Sequence, residues 1–255
     1  MTKVVCIASG KGGVGKTTSV VNLGSALSKF GYDTIIVDGN IGTPDLGMHL
    51  GMSNNGTSFH DVLKGDKSIY ESVYIHPNGS KVIPSSINMW GVLNLSKDRI
   101  KKEINRLNGL CDIVLIDCAP GINDESTACI KACDEVIIIT NPDVPSVTDA
   151  LKTISLANQN GKQVVGAIIN KSAGKNYEMS TTNIQEFLGV PVISVVPDDN
   201  NVRRSLNEMK AVVDSYPYSK ASIGFKKAAA IIVGQEYKDL EKQGFIARLA
   251  GLFRK

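Results

Sequence analysis

Short apolar runs rich in β-branched residues recur along the chain, and segments with helical spacing lie between them. Most of these runs lack polar–apolar alternation, as expected for strands covered on both faces of a parallel sheet. This strand–helix order predicts an α/β fold with a doubly wound, mostly parallel sheet flanked by helices. One departure, Ser72–Ile83, contains the turn residues Pro77-Asn78-Gly79-Ser80 and predicts a hairpin or irregular insert. The predicted strands are Lys3–Ala8, Asp33–Val37, Ile113–Ile116, Val136–Ile139, Gln163–Ile169 and Pro191–Val196, and the predicted helices are Thr17–Phe30, Lys97–Asn108, Asp124–Cys133, Ser146–Asn158 and Tyr177–Leu188.

Composition limits the class of protein. The chain has 255 residues, 42% of them hydrophobic, which is enough for one domain with its own core. The net charge of +3 does not by itself indicate a nucleic-acid or membrane partner, and only 5% of the residues are aromatic, which disfavours a single-strand binder. No signal peptide and no run of about 18 apolar residues is present, so we expect a cytoplasmic protein. We expect one domain over residues 1–238 and a separable tail over residues 239–255.

The cysteines and histidines do not form an evident metal site. The five cysteines are odd in number and lack the spacing of a disulfide framework. Cys129 and Cys133 share one face of a predicted helix, but no other cysteine or histidine lies near them in sequence, which disfavours a metal or cluster site.

A glycine-rich segment, Gly10-Lys11-Gly12-Gly13-Val14-Gly15-Lys16-Thr17, lies between the first predicted strand and the first predicted helix. It matches the phosphate-binding pattern of a glycine, any four residues, and Gly-Lys-Thr. In such a loop, backbone N–H groups surround the phosphate oxygens, and Lys16 supplies a positive charge to the β- and γ-phosphates. The hydroxyl of Thr17 is the expected direct ligand of Mg²⁺. The segment, called the phosphate loop below, therefore predicts a bound nucleotide.

Two carboxylates follow predicted buried strands. Asp38 ends the run Ile35-Ile36-Val37, and Asp117 ends Ile113–Ile116. The carboxyl ends of parallel strands meet at one edge of a sheet, so both side chains are placed to hold Mg²⁺ through water. Gly121 follows Asp117 closely, and its flexible backbone is suited to bring an N–H to the γ-phosphate.

These three motifs together resemble those of the MinD/ParA family of P-loop ATPases, and within that family they are more similar to the MinD members. The family's phosphate loop carries a second lysine, here Lys11, and the match continues through Thr18. In that family the extra lysine reaches the partner's phosphates in an ATP-bound dimer. The resemblance covers residues 3–255 and implies a P-loop NTPase fold, ATP and Mg²⁺ as cofactors, and a homodimer that forms on ATP binding. It makes Lys11, Lys16, Asp38 and Asn40 the catalytic candidates.

Asn40 departs from the family pattern, which has an aspartate at this position to help place the attacking water. An amide cannot act as a general base, but it can orient a water molecule. We therefore expect slow ATP hydrolysis, stimulated by a partner protein. The following Pro44-Asp45-Leu46-Gly47 resembles the family's switch segment, where partner contacts are made.

Two later positions bear on the choice of base. Asn170 follows one predicted strand, and Pro197 and Asp198 follow another. These residues resemble the family's adenine-contacting positions. The other interpretation of Asn170 is a turn or cap residue. Asn170-Lys171-Ser172 approaches the guanine signature Asn-Lys-x-Asp, but Ala173 lacks the required carboxylate. ATP is therefore predicted rather than GTP.

The last twelve residues predict an amphipathic C-terminal helix at an anionic membrane surface. They also resemble the family's membrane-targeting sequence in position and character. The other interpretation is a terminal helix that docks on the protein's own body. At about 100° per residue, the apolar residues on one face are Phe245, Ile246, Leu249, Leu252 and Phe253, and the basic residues away from that face are Arg248, Arg254 and Lys255.

Three functions compete. The leading one is an ATPase that cycles between the cytoplasm and the inner face of the cell membrane, with an unidentified activating or effector protein and without a specific nucleic acid. The alternative is a ParA-like partition ATPase that binds DNA non-specifically in its ATP dimer. A cluster-carrying relative ranks last, because Cys118 directly follows Asp117, whereas the cluster ligand of the related nitrogenase iron protein lies three residues past the aspartate. The lysines available to a DNA-binding face are Lys220, Lys226, Lys227, Lys238 and Lys242.

Overall fold

The computed structural model describes residues 1–52, 56–86 and 99–237. Within these ranges eight strands form one sheet. They are β1 (Lys3–Ala8), β2 (Thr34–Gly39), β3 (Tyr74–Ile75), β4 (Lys81–Ile83), β5 (Ile113–Cys118), β6 (Glu135–Thr140), β7 (Gln163–Ser172) and β8 (Val192–Pro197). The strand order is β3-β4-β2-β5-β1-β6-β7-β8, and among these strands only the pair β3 and β4 is antiparallel. The predicted doubly wound, mostly parallel sheet is confirmed.

Helices cover both faces of this sheet. The described helices are α1 (Lys16–Lys29), α2 (Leu46–His49), α3 (Phe59–Lys64), α4 (Arg99–Asn105), α5 (Asp124–Ala132), α6 (Val144–Gln159), α7 (Thr181–Leu188), α8 (Asn200–Asn207), α9 (Val212–Ser215) and α10 (Lys220–Ile232), with a 3₁₀ turn at Ile69–Ser72. Helices α3 to α7 contribute to one apolar core, and α1, α2, α9 and α10 contribute to the other.

The central strand shows why the strands are apolar throughout. Val4, Cys6 and Ala8 of β1 belong to the core on one face of the sheet, while Val5 and Ile7 belong to the core on the other. A strand covered on both faces has no solvated side, so its sequence does not alternate.

Most predicted elements are found with shifted ends. The segment Ser72–Ile83 contains the antiparallel pair β3–β4, with Tyr74 opposite Val82, as the turn residues predicted. The helix predicted from Tyr177 begins instead at Thr181, because the side chain of Ser180 accepts a hydrogen bond from the N–H of Asn183 and caps the helix there.

Helix α10 was not predicted, although it is one of the longer helices described. Ser219 caps it, and Phe225 is fully buried in the core that it shares with α1. Gly224 lowers its helical propensity in sequence. In the fold, a Cβ at Gly224 would lie 3.0 Å from the carbonyl oxygen of Val195, so the glycine lets the helix approach β8 closely.

The predicted tail, residues 239–255, and its boundary at residue 238 lie outside the described residues. Within the ranges that the structure describes, no helix is long and apolar enough to cross a membrane.

Candidate functional site

A cavity of about 680 Å³ opens at the edge of the sheet where β1, β2 and β5 end. Its volume is within the usual range of small-molecule sites, roughly 300–1,000 Å³. The phosphate loop forms one wall, and the loop after β2 forms the other. The lining residues are Ser9, Lys11, Gly12, Gly13, Gly15, Lys16, Thr17, Thr18, Asn40, Gly42, Thr43, Pro44, Asp45, Met48, His49, Pro120 and Lys171.

The phosphate loop adopts a conformation that requires glycine at specific positions. Gly13 and Gly15 have φ values of 79° and 92°, in the left-handed region that other residues rarely adopt. A Cβ at Gly10 would lie 2.1 Å from the carbonyl oxygen of Asp149, and one at Gly15 would lie 2.3 Å from Nδ2 of Asn170. The loop therefore leads into α1 by a path that admits no side chain at these positions, as the motif predicts.

Two neighbouring residues near the C-terminal end of β7 bind the phosphate loop. Nδ2 of Asn170 donates to the carbonyl oxygen of Val14 at 2.8 Å, and Nζ of Lys171 donates to that of Gly13 at 2.7 Å. Asn170 is buried within β7 and is not a turn or cap residue. Its predicted contact with adenine stays a prediction, since its amide is bonded to the loop backbone.

The other predicted base-contacting positions lie outside the cavity wall. Pro197 ends β8, and the N–H of Asp198 donates to the carbonyl oxygen of Ser172 at 2.8 Å. The Asp198 carboxylate binds Arg203 at 3.0 and 3.1 Å. Neither Pro197 nor Asp198 is among the described residues that line the cavity.

Lys16 and Asp117 form a buried ion pair at the base of the cavity. Nζ of Lys16 lies 2.7 Å from Oδ1 of Asp117, and the two side chains are 7% and 0% exposed. Burial by itself would lower the pKa of Lys16, but the adjacent carboxylate of Asp117 outweighs it, so the pKa is raised. An ammonium group has three N–H donors, so one bond to Asp117 leaves donors for phosphate oxygens.

Asp38 lies beside Asp117 because β2 and β5 place the two residues opposite each other. Asp38 is fully buried, and burial raises the pKa of its carboxyl well above the usual value, with further contributions from Asp117 and Asp45. Its Oδ1 accepts a hydrogen bond from the N–H of Asn40 at 3.1 Å. Oδ2 of Asp38 and Oδ2 of Asp117 are buried and have no hydrogen-bond partner within the described residues.

These orphaned oxygens fit the magnesium site that the sequence predicts. Buried carboxylate oxygens need donors, and water molecules bound to a cation supply them. Thr17 would hold Mg²⁺ directly, and Asp38 and Asp117 would hold it through water. No group of three or more histidine, cysteine, aspartate or glutamate side chains in the described ranges could hold a metal unaided. Mg²⁺ commonly relies instead on substrate phosphates and water.

Asn40 is nearly buried and lines the cavity, but its amide is used within its own loop. Nδ2 donates to the carbonyl oxygen of Thr43 at 2.5 Å, and Oδ1 accepts from the Thr43 hydroxyl at 3.2 Å. Its role in placing a water molecule stays a prediction.

Gly121 has a φ of 77°, as a glycine turn requires, and its N–H donates to the carbonyl oxygen of Ser9 at 2.9 Å. The N–H that was expected at the γ-phosphate is thus bonded to the strand end that precedes the phosphate loop. Pro120, and not Gly121, lines the cavity.

Asp45 was expected only as part of a switch segment that contacts a partner, but its carboxylate lines the cavity. Its Oδ1 accepts a hydrogen bond from the Thr17 hydroxyl at 3.0 Å. Burial first, and the charge of Asp117 second, raise the pKa of Asp45. Its position in a loop that leaves the same strand end as Asp38 is the sequence feature that could have identified it.

Replacing Lys16 by methionine should lower the free energy of unfolding by about 3–5 kcal/mol, because Asp117 would keep a buried charge without its partner. Lys11→Met is the matched control: this lysine is exposed in the same loop, and we expect a change within about 0.5 kcal/mol. Urea denaturation of the three proteins measures the difference. Equal stabilities of the two variants would contradict the importance of the ion pair.

Comparisons with known proteins agree with this geometry. The model of the AAA domain family matches residues 2–171. An uncharacterized ATP-binding protein of Methanocaldococcus jannaschii is 34% identical, over 99% of this chain and 97% of that protein. A septum site-determining protein MinD of Guillardia theta is 32% identical, over 96% of this chain and 93% of that protein.

Solved structures give the same result. The septum site-determining protein MinD complexed with Mg-ADP from Pyrococcus horikoshii aligns with a TM-score of 0.88 at 29% identity, covering 91% of this chain and 96% of that one. The prediction of a P-loop NTPase fold is confirmed, and so is that of ATP and Mg²⁺ as the cofactors of such a protein. The chain belongs to the MinD/ParA family of P-loop ATPases and is MinD-like.

Proposed function

We propose that this chain hydrolyses ATP to ADP and phosphate as an ATP-dependent dimer, and that its C-terminal tail binds a membrane reversibly in the ATP state. The observation that carries the proposal is that Lys16 and Thr17 line the cavity at the phosphate loop, while the buried Asp117 pairs with Lys16 and lies opposite Asp38. The process served is spatial regulation, as in cell division or polar positioning, and an activating or effector protein completes the cycle.

The hydrolysis step depends on positioning and charge. Water attacks the γ-phosphorus: a bond forms between the water oxygen and phosphorus, and the bond to the β–γ bridging oxygen breaks, with its electron pair left on ADP. The proton that the water loses passes to the phosphate product or to solvent. The N–H groups of the phosphate loop and the ammonium of Lys16 bind the phosphate oxygens on which charge develops. Mg²⁺, when bound, neutralises charge on the β- and γ-phosphates. Phosphate release above that of a Lys16→Met variant would support hydrolysis, and equal release would contradict it.

The surface around the cavity supports a dimer with facing nucleotide sites. Lys11 is exposed at the cavity wall, where a second copy would bring its phosphates within reach. Three apolar side chains that follow β5, β6 and β7 at the same edge are also exposed. They are Ile122 at 56%, Val144 at 62% and Tyr177 at 81% exposure. Exposed apolar side chains at one edge are typical of an interaction surface.

We expect the protein to be a dimer with a non-hydrolysed ATP analogue and Mg²⁺, and a monomer with ADP. Lys11→Ala should remain a monomer with either nucleotide, because the lysine would no longer bind the partner's phosphates. Light scattering coupled to gel filtration measures the mass of each species. Lys152→Ala is a control, since that exposed lysine of α6 pairs with Asp149 and does not line the cavity. A nucleotide-independent mass would contradict the dimer.

The amphipathic sequence of the tail supports the proposal that it binds a membrane. A twelve-residue helix is marginal in water, and Gly244 and Gly251 weaken it further. Each basic residue near anionic lipid contributes about 1 kcal/mol. One tail should therefore bind weakly, whereas two tails on one dimer gain roughly 10²–10⁴-fold by avidity. ATP would then place the protein at the inner face of the membrane, and hydrolysis would release it to the cytoplasm.

Sedimentation with anionic liposomes tests this proposal. The protein should pellet with ATP and Mg²⁺ and remain in the supernatant with ADP and Mg²⁺. Leu249→Asp, on the apolar face, should abolish pelleting. Ala247→Asp adds the same charge on the opposite face and should reduce it only modestly. Unchanged pelleting after deletion of residues 244–255 would show that the tail is not the membrane anchor.

The DNA-binding alternative has less support from the structure. Lys226 is buried, and its Nζ donates to the carbonyl oxygen of Pro217 at 3.0 Å. One of the five lysines that could have faced DNA is therefore occupied within the fold. Absence of liposome binding in both nucleotide states, together with salt-sensitive DNA binding with ATP, would favour this alternative.

A further inference from the structure

We propose that Asp45 is a positioning residue of the magnesium site, which orients the hydroxyl of Thr17. This inference rests on the proposed function, because it assigns a residue to the site at which ATP and Mg²⁺ would bind.

The position of Asp45 supports this role. Its Oδ1 accepts the hydrogen bond of the Thr17 hydroxyl at 3.0 Å, and the residue lines the same cavity as Lys16 and Thr17. When a carboxylate accepts the hydrogen bond of a hydroxyl group, the lone pairs of the hydroxyl oxygen remain available to a cation. Asp45 thus holds the expected metal ligand in the orientation that binding requires.

The fold fixes Asp45 in this place. The next residue, Leu46, is fully buried in the core that α1 and α10 share. The carbonyl oxygen of Asp45 accepts from the N–H of His49 at 3.1 Å and is 3.0 Å from its Nδ1. Asp45 precedes α2, but its side chain makes no capping hydrogen bond there. Oδ1 of Asp45 is therefore directed to Thr17, while its Oδ2 lies 3.8 Å from Nδ1 of His49 in α2.

A second observation indicates a ligand at the same point. Oδ2 of Asp38 and Oδ2 of Asp117 belong to fully buried side chains and have no partner within the part of the chain that the structure describes. Asp117 pairs with Lys16, and the next residue, Thr17, donates its hydroxyl hydrogen bond to Asp45. Three carboxylates with one buried lysine leave an excess of negative charge, which a divalent cation would balance.

Asn40 cannot provide the missing carboxylate, and its amide is bonded to Thr43. Asp45 follows five residues later in the same loop and lines the cavity. The loop after β2 therefore delivers a carboxylate to the cavity from its far end.

Binding of Mn²⁺ to the ADP complex, measured by electron paramagnetic resonance, tests the proposal without relying on turnover. Asp45→Asn should weaken Mn²⁺ binding about 10-fold or more, in the range typical of residues that orient metal ligands. The affinity of the Asp45→Asn variant for ADP in EDTA should stay within about 2-fold of that of the unmodified protein, because no metal is bound under that condition. Asp66→Asn is the matched control: this carboxylate is exposed and does not line the cavity.

A merely structural role of Asp45 would weaken ADP binding in EDTA together with Mn²⁺ binding, whereas a positioning role weakens Mn²⁺ binding alone. Wild-type Mn²⁺ affinity in folded Asp45→Asn would overturn the inference while leaving the proposed function intact. Lack of ATP hydrolysis by the unmodified protein would instead contradict the proposed function.

Discussion

The placement of Asp38 directly opposite Asp117 is the constraint on which the site depends. Parallel pairing of β2 with β5 sets the two carboxylates at neighbouring strand ends, both fully buried. Two such charges repel each other, and burial adds to the cost of keeping them ionised. Lys16 offsets part of this cost through its ion pair with Asp117. The remaining excess of negative charge favours a divalent cation, to which the orphaned carboxylate oxygens would bind through water.

The phosphate loop is held in place by the same arrangement. Lys16 begins α1, so its bond to Asp117 ties the start of that helix to the end of β5. On the other side, Asn170 and Lys171 bind the carbonyl oxygens of Val14 and Gly13. The loop is therefore fixed between β5 and β7 by hydrogen bonds to its carbonyl groups and to its lysine. Glycines of this loop line the cavity, and backbone N–H groups of such a loop bind phosphate.

The sequence predicted the sheet and the phosphate site because both depend on local patterns. Apolar runs identified the buried strands, and the order of glycines and lysines identified the loop. Helix α10 was missed because Gly224 weakens the helical pattern, and only the close approach to β8 explains that glycine. Asp45 was assigned only to a segment that contacts a partner, because its distance from Asp38 in sequence does not reveal that the intervening loop folds back on Thr17. Membrane binding still rests on the composition of the tail, which lies outside the described residues.

We infer that nucleotide and Mg²⁺ bind this site cooperatively, because the carboxylates and the phosphates both attract the cation. Thermal unfolding in four conditions tests it: protein alone, with Mg²⁺, with ATP in EDTA, and with both ATP and Mg²⁺. A ligand that binds only the folded state raises the unfolding temperature according to its affinity. We predict a larger increase with ATP and Mg²⁺ together than the sum of the two separate increases. If ATP in EDTA raised the unfolding temperature as much as ATP and Mg²⁺ together, cooperative binding would be contradicted.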